Sequence, residues 1–230
     1  MEIEKLIADL DELLDRQDYP SARALLEDAL NRYKALSDDA GALSVYNELM
    51  GFERQYGTPA AATAAAENAL GLLYKLEIKN AAGAMIVLNA ATVFSAAGKT
   101  DRALELYARA QVLFDRYYPA GDRAFAGLYN NMASAYAAKG DDGKAQYYYE
   151  RAAGLLRRYA DVCDLAVTYL NLAGLYRRQG KDESARAAIL TAAAVLDVPP
   201  EKQDAYYRYT CRKCAAACRE LGFEGMIKEQ

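Results

Sequence analysis

Histidine and tryptophan are both absent from this chain. Without His the commonest general base near neutral pH and the commonest metal ligand are missing together, so hydrolytic and zinc chemistry lose their usual means. Proline occurs only 5 times and glycine 15 times in 230 residues, which removes the main helix breakers. No run approaches 18 apolar residues, so no membrane span is expected. The start, MEIEKLIADLDELLDR, is acidic and amphipathic and has no apolar signal region, which makes a cytoplasmic setting the expectation. Net charge is only −4, and no basic face large enough for nucleic acid is implied. There is no P-loop, dinucleotide fingerprint or triad pattern. With these absences a non-catalytic protein without a cofactor is expected.

What is present points to helices. Apolar residues make up 53% of the chain, enough to bury a substantial core. Alanine is abundant, and it loses no side-chain entropy in a helix. Charge is unevenly spread. Residues 1–57 hold 6 Lys/Arg against 13 Asp/Glu, whereas residues 58–230 hold 22 against 19.

A phrase of Gly, four variable residues and Ala recurs at Gly57–Ala62, Gly98–Ala103, Gly140–Ala145 and Gly180–Ala185. Weaker copies stand at Gln17–Ala22 and Gly222–Ile227. On both sides of each phrase apolar residues fall at i, i+3, i+4 and i+7, which is helical spacing. Gly ends the first helix because it alone takes positive φ without a Cβ penalty. Helices are expected near 2–17, 20–36, 39–56, 59–79, 81–97, 100–118, 122–139, 142–160, 163–179, 182–196 and 201–221, with a short one after Gly222.

Counting back from the turn Gly, a small residue returns at seven (Ala91, Ala133, Ala173) and an aromatic at four (Phe94, Tyr136, Tyr176). Ala110, Ala152 and Ala192 lie twelve after it. Small residues recur where two helices cross closely, and aromatics fill the gaps between hairpins.

This small–aromatic–Gly–Ala framework resembles the tetratricopeptide repeat family over nearly the whole chain. The usual unit is about 34 residues. The units here are longer, like the extended ones of kinesin light chain and of bacterial peptide-sensing regulators. The resemblance implies an all-α, right-handed superhelical solenoid of about 11–12 helices in antiparallel pairs. It implies one repeat domain over 1–230, with units near 2–37, 38–79, 80–121, 122–161 and 162–198 and capping helices over 200–230. The second unit departs from the pattern, with Met50 at the small position and Glu53 at the aromatic one.

Nine residues before the turn Gly stand Asn89, Asn131 and Asn171, with Asn130 beside Asn131. In the resembled family the first helix of each hairpin lines a groove, and Asn at this place holds the backbone of an extended ligand. A side-chain amide offers both donor and acceptor, so a row of them can satisfy a peptide's N–H and C=O groups. The other reading is that each Asn bonds a neighbouring helix and only tunes the superhelix. Nearby positions are small: Thr92, Ser95, Ala96, Ser134, Ala137, Ala138 and Gly174. Toward the C-terminus the same face turns basic, with Arg177, Arg178, Arg212 and Lys213, and toward the N-terminus acidic, with Asp11, Asp15 and Glu48. Arg pairs carboxylates bidentately, so a peptide or protein segment with an acidic end would fit. A solvated face is the alternative.

Cys211, Cys214 and Cys218 form C-x-x-C-x-x-x-C. They fall on core positions of the repeat, where free Cys serves as a small hydrophobe, and a fourth ligand would have to come from Cys163, a repeat away. Core packing without metal is expected. In the run Tyr147, Tyr148, Tyr149 the register makes only Tyr149 a core residue. The expected function is a peptide- or protein-binding adaptor. The alternative is a structural module that self-associates through its ends or convex face, with a weak homodimer as one form.

Overall fold

The computed structural model describes residues 3–199 and 203–227. Among them are eleven α-helices and no strand. In chain order they are α1 (Ile3–Asp15), α2 (Tyr19–Ala35), α3 (Asp39–Tyr56), α4 (Pro59–Lys75), α5 (Ala81–Ala96), α6 (Thr100–Tyr117), α7 (Ala124–Lys139), α8 (Asp142–Arg158), α9 (Val162–Arg178), α10 (Asp182–Val195) and α11 (Ala205–Glu220). The chain divides into two compact units, Met1–Tyr118 and Pro119–Gln230, each described here by itself. The first holds the hairpins α1/α2, α3/α4 and α5/α6, and α3 also packs on α5. The second holds α7/α8 and α9/α10, with α9 packed on both α7 and α11.

Local chemistry sets the helix ends. Gly98, Gly140, Gly180 and Gly222 all have positive φ, between 71° and 84°. At each, the following residue's N–H donates back to the carbonyl five residues earlier: Lys99 to Phe94, Asp141 to Tyr136, Lys181 to Tyr176 and Phe223 to Cys218, each at 2.9 Å. That is the Schellman closure, which satisfies carbonyls a helix end would leave open. Gly57 differs: its φ is −110°, so the positive-φ role expected of the turn glycines does not hold there. Its N–H instead bonds the Glu53 carbonyl at 3.1 Å, and a Cβ at this position would collide with the Glu53 carboxylate. Three of the returns between hairpins use the left-handed region without glycine, at Ser37, Glu77 and Ala160, whereas the return from α6 to α7 uses Gly121.

Helix starts are capped mostly by carboxylates. The side chains of Asp18, Asp38, Asp141, Asp161 and Asp204 accept from the backbone N–H three residues on. Thr58 and Asn80 do the same for α4 and α5. Each satisfies one orphan donor of the first turn.

The repeat register is visible in the packing. Ala91, Ala133, Ala173, Ala110, Ala152 and Ala192 are fully buried. Phe94 is buried, whereas Tyr136 and Tyr176 are half-buried, and Tyr136 lies parallel to Tyr148 with ring centroids 5.6 Å apart. Tyr149 is buried and Tyr147 exposed. All four cysteines are buried as free thiols in the core of the second unit, among Ala173, Leu175, Ile189 and Tyr207. In the aberrant second hairpin Met50 is buried and Glu53 replaces an aromatic by an ion pair. Both guanidinium nitrogens of Arg23 reach its carboxylate, one of them at 3.1 Å, while the Arg23 guanidinium lies 5.4 Å from the Phe52 ring centre. The short helix expected after Gly222 is not formed within 223–227. Gly225 at φ +77° turns the chain there, and Ile227 tucks into the core. Residues 200–202 and 228–230 of the expected capping segment lie outside the described residues.

Candidate groove surfaces on the first helices

In the first unit the facing sides of α3 and α5 leave a cleft of about 180 Å³, lined by Asn47, Glu48, Met50, Gly51, Arg54, Asn89, Thr92 and Val93. Helical spacing places Glu48, Gly51 and Arg54 one turn apart along α3, and Asn89 and Thr92 likewise along α5. Gly51 meets nothing within 4 Å of where a Cβ would sit, which keeps the α3 wall low. Asn89 is half-buried, and its Nδ2 donates to Asn47 Oδ1 at 2.9 Å. The Asn47 amide in turn donates to Glu48 Oε1 at 3.2 Å. The two amides and the carboxylate therefore form one polarised chain across α3 and α5. The Thr92 hydroxyl donates to the Leu88 carbonyl at 3.0 Å and accepts from Tyr107 at 3.4 Å. Burial raises the Tyr107 phenol above its ordinary value, so it stays a neutral donor.

In the second unit Asn130, Asn131, Asn171, Arg177, Arg178, Arg212 and Lys213 lie on α7, α9 and α11. Asn130 is tied to packing: its Nδ2 donates to Thr168 Oγ1 at 2.8 Å, and that fully buried hydroxyl donates to the Asp164 carbonyl at 2.7 Å. Asn131 is half-buried and Asn171 exposed. The expected small positions Ser134, Ala137, Ala138 and Gly174 are all exposed or half-buried. Arg177 bonds Asp182 at 2.5 Å and lies 5.5 Å from the Phe223 ring centre, while Arg178 reaches Asp142 at 3.4 Å. These pairs are solvent-exposed and hold their arginines only weakly. Arg212 and Lys213 are exposed on α11.

Sequence reasoning missed Asn47 and Arg54. Both were within reach: Asn47 adjoins the aligned Glu48, and Arg54 lies one helical turn beyond Gly51 on the same face. Tyr107, beneath Thr92, carried no signal because its position reads as core.

Among the described residues no group of three or more His, Cys, Asp or Glu could hold a metal ion, and no helix is long and apolar enough to cross a membrane. What the surface offers is a set of amides, small residues and charges on adjacent helices, suited to holding polar backbone or side chains.

Residues 124–197 match the family model described as tetratricopeptide repeat. No curated protein sequence matches the chain. Among solved structures the chain is similar to BtubC (BKLC) from P. vanneervenii, at 26% identity and a TM-score of 0.74, over 84% of this chain and 79% of that one. It is also similar to the nearly identical TPR-like repeats of a Podosopora anserina kinesin light chain protein, at 17% identity and a TM-score of 0.72, over 85% of this chain and 96% of that one.

Proposed function

Because residues 124–197 match the tetratricopeptide repeat model and the fold is that of TPR-like repeats, we propose that the chain is a non-catalytic adaptor that holds an extended peptide or protein segment against its first helices. The observation that carries this reading is the amide-lined cleft between α3 and α5, where Asn89 and Asn47 are pre-oriented by each other and by Glu48. Pre-orientation lowers the ordering cost that binding has to overcome. After donating to Asn47, the Asn89 amide still has its carbonyl oxygen, an acceptor for a ligand N–H. In the second unit the exposed Asn171 serves a ligand directly, with Asn131 beside the small residue Ser134, and Asn130 supports α7 against α9. Arg177, Arg178, Arg212 and Lys213 suit an acidic end of the bound segment. A cytoplasmic setting agrees with four thiols kept reduced in the core.

The test starts from peptides selected on the immobilised full chain, followed by titration against the double variant Asn131→Ala with Asn171→Ala. Each lost hydrogen bond is worth about 0.5–1.5 kcal/mol, so affinity should fall roughly five- to a hundredfold. The midpoint of urea unfolding should move little. A selected peptide that binds both this variant and Asn89→Ala as tightly as the parent, or a parent chain that selects none, would sink the reading.

A further inference from the structure

Among the described residues the first and last helices, α1 and α11, carry complementary exposed faces. On α1, Glu4, Asp11 and Asp15 are exposed at spacings of seven and four, which places them in one stripe on the side away from the buried Leu6 and Leu10. Beside that stripe runs a second one of Ile3, Ile7 and Leu14, none of which is fully buried. An apolar strip bordered by carboxylates, on a helix whose inner side is already packed, is an amphipathic surface only partly covered among the described residues, with Ile7 exposed.

On α11 the outer side is the opposite in sign. Its inner side is filled by Tyr207, Cys211, Cys214 and Cys218. Away from it stand Tyr209, Arg212 and Lys213, all exposed. Tyr209 and Arg212 lie one turn apart, and Ala216 continues the stripe at the next turn. Unlike α3, α5, α7 and α9, α11 is followed within the described residues by turns and not by a second helix. Tyr and Arg together, over a small residue that admits a close neighbour, are the residue types that dominate interface energetics. Arg212 also matches the bidentate geometry of a carboxylate.

We propose that α1 of one copy docks on the exposed face of α11 of a second copy, its carboxylates Asp11 and Asp15 against Arg212 and Lys213 and its Ile7 strip against Tyr209. The contact is heterologous: the donor surface differs from the acceptor surface, so association does not stop at two copies unless it closes into a ring. The attraction is largely between exposed charges, which makes the association weak and sensitive to salt. The proposal uses the basic end of the surface assigned above to an acidic segment. Its test reads self-association alone, so either reading stands or falls without the other.

The experiment is sedimentation velocity on the full chain over a wide concentration range, at low and at high ionic strength. The expected result is a sedimentation coefficient that rises with concentration at low salt and stops rising at high salt. Arg212→Glu with Lys213→Glu should remain monomeric, and so should Asp11→Lys with Asp15→Lys. An equimolar mixture of these two variants should associate again, because each then offers the charge that the other has lost. Circular dichroism confirms that both variants fold. A parent chain that is monomeric throughout overturns the proposal. So does association that persists in either variant alone, or a mixture of folded variants that fails to recover it.

Discussion

Ala133 and Ala173 are fully buried at the same place in consecutive hairpins, so a larger side chain there has nowhere to go. Ala133→Leu or Ala173→Leu should cost roughly 1–3 kcal/mol by overpacking, whereas the exposed Asn171→Ala should stay within about 0.5 kcal/mol of the parent. Equal losses in a urea titration would show that the register is wrong. The cysteines make a second prediction at this scale. Burial, with the Cys211 and Cys218 thiols close by, pushes the Cys214 thiol up to about 12. In the unfolded chain it titrates near 8.5, roughly its free value. Between those two values the unfolded chain has lost a proton that the folded chain keeps, so stability falls as pH rises. Urea midpoints measured from pH 8 to pH 11 should therefore decline. Cys214→Ala should make the decline shallower without abolishing it, since burial also raises the Tyr206 and Tyr207 phenols.

At the scale of the helix and its turns, two glycines that look alike in sequence should fail for different reasons. Gly140 sits at φ +84° with open space around it, so Gly140→Ala should cost about 1 kcal/mol through backbone strain alone. Gly57 is unstrained but has the Glu53 carboxylate where its Cβ would be. Gly57→Ala should be costly in the parent and nearly neutral beside Glu53→Ala, while Gly140→Ala keeps its cost in both backgrounds. Thermal melts of the parent, of Glu53→Ala and of the two glycine substitutions in each of these backgrounds decide this. Helix positions were legible because amphipathic spacing and the turn glycines mark them independently: α3, α4, α5, α6, α8 and α10 begin at the expected residues, and the other ends lie within a few residues of expectation. The Glu53 exception was visible only as a break in the pattern. Its partner Arg23 is 30 residues away, and no local period encodes such a pair. The same limit applies to the groove. The sequence aligns Asn89 with Asn131 and Asn171 and sets Asn130 beside them, but it does not show that Asn89 bonds Asn47 and Asn130 bonds Thr168, partners contributed by other helices.

The molecule as a whole is two compact units joined at Tyr118 and Pro119, each with helices packed on their sequence neighbours. Such local contacts make stability approximately a sum over neighbouring hairpins. A short Gly/Ser insertion between Tyr118 and Pro119 should therefore leave helix content by circular dichroism close to that of the parent. A large loss of ellipticity would mean that the units do not hold their structure separately. The carboxylate caps have a consequence at this scale too. The Ser21 side chain and backbone hold the Asp18 carboxyl below its ordinary range, and Lys144 does the same for Asp141. An aspartate with a depressed value contributes stability above the usual carboxylate range and loses it as pH falls through the lowered value. Acid thus acts on the starts of α2 and α8, and alkali acts on buried thiols and phenols in the second unit. The plateau between them is bounded by two different chemistries in different parts of the chain: helix initiation on one side and core polarity on the other.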